Sequence, residues 1–189
     1  RDRGDIIGHT MADESLRTLA RHLEVPERTL RRVAAEGLIR GERLSERRYK
    51  TTLREEAYLR SHWWLLSALR RAFRTEPNVR LVVLFGSLAK GEGSEVSDVD
   101  LLVSVRDDSA GALAGLSGRL RDRIGRDVQL VRFADAERLP ALMVDVLREG
   151  RVLVDRDRIW PRLIAGERRW RRRAAEVGSL EDALPDLEF

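Results

Sequence analysis

From residue 52 to residue 74 apolar side chains return every three or four positions. Leu59, Trp63, Leu66, Leu69 and Phe73 fall on one stripe, which predicts a long amphipathic helix that Pro77 breaks. Ahead of it, residues 15–22 and 26–36 carry two shorter helical patterns separated by a tight turn. Gly37 follows the second, where helices often stop on glycine. Residues 40–50 are charged and irregular, fitting a small wing or a loop, and residues 1–12 read as a polar lead-in. Past Pro77 the period changes. Residues 79–85 and 99–105 are apolar, β-branched runs that predict strands, and residues 128–133 predict a third. Residues 110–124 predict a helix with Leu113, Leu116, Leu120 and Ile124 on one face. Residues 140–148 predict another, stopped at Gly150, with a short strand at 151–154. This β-loop-β-α-β-α order implies an α/β or α+β domain. Residues 158–189 read as a basic helix and an acidic, weakly structured end. The pattern divides the chain into 1–50, a linking helix at 51–76, 77–155, and a C-terminal 156–189.

Composition changes this picture little. The 189 residues suffice for one good core and a small second domain. Charged residues make up 36% of the chain, yet the net charge is only +4. Lysine occurs only at Lys50 and Lys90, so arginine carries the basic character. Arginine's planar fork suits phosphate, which fits nucleic acid; a compositional habit of the source genome fits equally. There is no cysteine, which excludes disulfides and thiol catalysis and fits a reducing cytoplasm. No signal peptide and no apolar run near membrane-spanning length stands out, so a cytoplasmic protein is expected. His9, His22 and His62 show no metal-ligand spacing.

In residues 16–39, taking Ala20 as the small residue at a close helix crossing puts Leu19, Leu23, Val25, Leu30 and Val33 on apolar places. This stretch resembles the helix-turn-helix family. Its turn position holds Glu24 rather than glycine, so a left-handed backbone there would be less comfortable. The resemblance implies double-stranded DNA as a partner, read by the second helix through Arg28, Thr29, Arg31 and Arg32. A solvated arginine face on a protein-docking bundle is the alternative.

Between the first two predicted strands, Gly86-Ser87 is followed by ten residues and then Asp98-Val99-Asp100. Glycine permits a sharp turn and close approach of a phosphate; amides at a helix start and a serine hydroxyl add donors. Asp98 and Asp100, two apart entering a strand, point to one face. Paired carboxylates repel unless a cation lies between them, and hard divalent ions favour such oxygens. The two-part motif resembles the nucleotidyltransferase superfamily that includes DNA polymerase β, and within it the small minimal nucleotidyltransferases. That resemblance implies a small mixed-sheet domain over residues 79–154 and Mg²⁺ or Mn²⁺ at Asp98 and Asp100. It also implies phosphates of a nucleoside triphosphate (NTP) at Gly86 and Ser87, with Lys90 a further phosphate candidate or an exposed loop lysine. Glu92 and Glu95 read as loop solvation.

Family members usually carry a third carboxylate on the next core strand. Here that position maps to Gln129, which can ligate through oxygen but cannot act as a base. Asp127, two residues earlier, lies about 6–7 Å along the strand. Trp63 and Trp64 are adjacent, so only one fits the core stripe; the other would pack on the amino-terminal domain or on a second copy in a homodimer. The run Arg168–Arg173 around Trp170 reads as a nucleic-acid contact or a solvated face. The resemblance implies transfer of a nucleoside monophosphate to a protein or nucleic-acid acceptor, in an antitoxin that represses its own operon and pairs with a toxin. The alternative is a regulator that has lost this chemistry and senses nucleotide or binds a partner.

Overall fold

The computed structural model describes residues 16–45, 49–94 and 97–183. The polar lead-in, Ser15, His9, Glu95 and the end of the acidic tail lie outside the described residues. The chain forms two compact units that divide between Arg71 and Ala72, inside one long helix.

In the first unit, α1 (residues 16–22) and α2 (Glu27–Ala35) are joined by a short turn. Glu24 takes a left-handed φ of 54° at that turn, and the Val25 amide donates to the Ala20 carbonyl at 3.0 Å. Of the apolar places expected from spacing, Leu19, Leu30 and Val33 are buried with Ala20, while Leu23 and Val25 are half-buried; Leu16 is buried as well. Within residues 40–50 the described residues carry the wing alternative: β1 (Glu42–Arg43) pairs antiparallel with β2 (Tyr49–Lys50). Tyr49 fastens it by donating its hydroxyl to the Ile39 carbonyl at 2.8 Å. The long helix α3 (Leu53–Arg74) buries Tyr58 and Leu65 beside the expected Leu59, Leu66 and Leu69, so its buried arc is broader than one stripe. Trp63 is half-buried and Trp64 stays exposed.

The second unit is built on a four-stranded mixed sheet. Its strands are β3 (Val79–Leu84), β4 (Val99–Val105), β5 (Val128–Arg132) and β6 (Arg151–Asp155), ordered β5-β4-β3-β6. β3 lies antiparallel to β4 and β6, whereas β4 and β5 are parallel, joined through the crossover helix α5 (Ala110–Ile124). Leu81, Val83, Leu102 and Val152 pack on one face with Met143, Val146 and Leu147 of α7 (Pro140–Glu149). Their alternates Val82, Leu84, Leu101 and Val103 are buried too. Burial on both faces explains why these strands read as continuous apolar runs instead of alternating.

Two expectations need correction. Phe133 does not extend β5 but opens the short helix α6 (Phe133–Ala136). Asp135 holds Arg132 at 2.5 and 3.0 Å across that first turn, and Phe133 packs against the core. Residues 159–183 form two helices rather than one, α8 (Ile159–Ala165) and α9 (Glu167–Ala183), separated at Gly166. Trp170, in the middle of the arginine run, is buried in the core cluster and flanked by the Arg169 and Arg173 guanidiniums at 5.3 and 5.0 Å. Its ring is therefore closed to nucleic acid. Arg171 pairs with Glu167 and Arg172 approaches Glu176 along the same helix.

Candidate functional site

β3 ends at Leu84, and the chain turns into the short helix α4 (Gly86–Lys90). Gly86 has φ 71°, a conformation that favours glycine, and a Cβ there would lie 2.3 Å from Oδ2 of Asp100. Turn and aspartate are thus in direct contact. The hairpin register holds them so, because the Phe85 amide donates to the Asp100 carbonyl at 3.0 Å. Ser87 is half-buried, and its carbonyl accepts from the Glu92 and Gly93 amides, closing the turn after α4. Lys90 sits in the last turn of α4, half-buried.

Asp98 is exposed just before β4, and Asp100 is half-buried within it. Burial, and then the Asp98 charge, raise the Asp100 carboxyl above the usual aspartate range. A cation at this face relieves both effects. In the parallel β4–β5 ladder Gln129 is the direct partner of Asp100, so the exposed amide stands beside the half-buried acid. Asp127 does not join them by side chain: its carboxylate is mostly exposed and ion-paired with Arg121 at 3.2 Å.

Two arginines that sequence reasoning missed support the site. Arg126 donates to the carbonyls of Ser94 and Ser97 at 2.7 and 2.6 Å, pinning the loop that delivers Asp98. Arg151 is buried and donates through Nε to the Ala89 carbonyl at 2.9 Å, a cation against the end of α4. Both act on backbone carbonyls, which no side-chain pattern announces.

Two aspartates with an amide oxygen suit a hard divalent cation that completes its shell from water or phosphate. Among the described residues no larger group of Asp, Glu, His or Cys gathers to hold a metal.

Residues 68–159 match the family model described as Polymerase beta, Nucleotidyltransferase. The second unit has the polymerase β-like nucleotidyltransferase fold. Among solved structures, a toxin–antitoxin crystal structure with AMP-PNP is similar at 23% identity. That likeness covers 62% of this chain and 96% of that chain, with a TM-score of 0.52. A mutant of the MntA–HpeT toxin–antitoxin pair is similar at 21% identity, with the same coverage and TM-score. The nucleotidyltransferase unit thus resembles MntA antitoxins in fold. No curated protein matches the chain. No helix among the described residues is long and apolar enough to cross a membrane.

The four predicted DNA-reading residues of α2 fare differently. Arg28 and Arg32 are exposed and Thr29 is half-exposed. Arg31 is half-buried and held by Glu27 at 2.5 and 2.8 Å, which commits its guanidinium within the helix.

Proposed function

We propose that the nucleotidyltransferase unit binds an NTP with Mg²⁺ or Mn²⁺ and transfers its nucleoside monophosphate to a hydroxyl on a partner protein or a nucleic acid; the new phosphoester forms as the α–β phosphoanhydride bond breaks, pyrophosphate leaves and the hydroxyl proton passes to solvent. The observation that carries this reading is the contact between the Gly86 turn and the Asp100 carboxylate. It sets a place where phosphate can approach backbone against a place where a cation can be held. Asp98 and Asp100 would hold the cation; Gly86 and Ser87 would face the phosphates, with Lys90 adding positive charge beside them. When bound, the cation supplies charge neutralisation at the phosphates. Arg126 keeps Asp98 at the site by holding its loop. The similar fold of toxin–antitoxin chains, one crystallised with AMP-PNP, supports an adenine nucleotide and a toxin as partner.

The first unit extends the proposal. Its paired helices, left-handed turn at Glu24 and two-stranded wing support a helix-turn-helix domain that binds double-stranded DNA through Arg28, Thr29 and Arg32, with Arg31 braced by Glu27. An antitoxin that also represses its own operon, located in the cytoplasm, accounts for both units. A second reading is favoured by one observation: the partner of Asp100 on β5 is the neutral Gln129. It makes the protein a nucleotide-sensing DNA regulator without transfer chemistry.

Incubation with labelled NTPs, Mg²⁺ and lysate, beside an Asp98→Asn/Asp100→Asn control, separates the two. Labelled acceptor that vanishes in the control is expected for the transferase. Nucleotide binding with no labelled acceptor overturns transfer and leaves the sensor.

A further inference from the structure

Gln129 also bears on how many cations the site could take. The parallel ladder sets Val99 beside Val128 and Asp100 beside Gln129, so the amide shares a face with the Asp100 carboxylate. The only charges these residues bring are those of Asp98 and Asp100. Asp127 lies one residue before β5, and its carboxylate is engaged by Arg121 at 3.2 Å. Among the described residues no larger acidic or histidine group gathers that could hold a metal.

The two carboxylates and the bound triphosphate's oxygens together hold one divalent ion; a second ion set away from those oxygens has no further protein charge to draw on. A second ion placed close to the first is repelled by it, and only added negative charge between them offsets that repulsion. An amide oxygen can ligate but brings no charge.

We propose that this site binds a single divalent cation together with the triphosphate, and that Gln129 is the residue that keeps the second cation out. The inference rests on the nucleotide reading above and deepens it: the protein is a one-ion NTP site. One substitution, Gln129→Asp, converts it to a two-ion site. Because Gln129 is exposed on an edge strand, this change leaves the fold intact.

The test is equilibrium dialysis of the full chain against Mn²⁺ and a non-hydrolysable ATP analogue, counting both per chain, with electron paramagnetic resonance of the bound ions. The expected result is one Mn²⁺ per bound nucleotide in the unsubstituted protein and in Gln129→Asn. Gln129→Asp should hold two, with a spin-coupled pair in its spectrum. Two coupled ions in the unsubstituted protein would overturn the inference while leaving the nucleotide reading intact. A single ion in Gln129→Asp, in protein whose circular dichroism is unchanged, also overturns it. Absence of any nucleotide-dependent Mn²⁺ in the unsubstituted protein overturns the nucleotide reading itself, and the inference with it.

Discussion

Gly86 meets two demands at once: a backbone at φ 71° and no side chain where Asp100 presses in. Gly86→Ala therefore forces either the turn or the aspartate to move. It should lower stability by about 1–3 kcal/mol in urea denaturation and abolish nucleotide binding. Unchanged binding in a folded Gly86→Ala protein contradicts the role given to this contact. Arg126→Ala releases the Ser94 and Ser97 carbonyls. A loss of about 1–3 kcal/mol is expected, with cation-dependent nucleotide affinity weakened several-fold in calorimetry. Gly86, Asp98 and Asp100 can be singled out in sequence because they fall within one short stretch, whereas Gln129 is reached only through the strand pattern of the family the stretch resembles. Arg126 and Arg151 are not legible there, because each reaches a carbonyl far along the chain, 29 residues away from Arg126 to Ser97 and 62 from Arg151 to Ala89.

At the scale of elements, periodicity predicts β4 and α5 without displacement, since apolar runs and one-faced helices are written in local order. It misses α6 because Phe133 continues an apolar run and the turn there depends on the Arg132–Asp135 pair. It misreads Trp170 because charge on both sides hides a core residue on one helical face. Between α1 and α2, Glu24 takes the left-handed backbone in place of glycine. Glu24→Gly should raise stability by about 1 kcal/mol, read as a higher thermal midpoint. Glu76, just past α3, tests the second unit's electrostatics. Two hydrogen bonds from Arg119 hold its nearly buried carboxyl below the usual carboxylate range. A depressed folded pKa stabilises above the unfolded value and is lost as pH falls through the folded one. Acid titration of stability should thus show a loss in the acid range that is smaller in Glu76→Gln.

At the scale of the whole molecule, DNA binding is proposed for the first unit and nucleotide binding for the second. If Arg28 and Arg32 each meet a phosphate, their joint replacement by alanine should weaken binding to operator DNA. It should also reduce the salt slope of log K by about 1 per lost contact, with nucleotide binding unaltered. An unchanged slope, read by fluorescence anisotropy across salt, points to the protein-docking face instead. The central claim is that Gly86, Ser87, Asp98 and Asp100 together make a cation-dependent nucleotide site. Calorimetric titration of a non-hydrolysable ATP analogue, with and without Mg²⁺, addresses it most directly in the unsubstituted chain and in Asp98→Asn/Asp100→Asn. The account predicts binding that requires Mg²⁺ and disappears in the double variant. Binding that is indifferent to Mg²⁺, or that survives loss of both carboxylates, would contradict it.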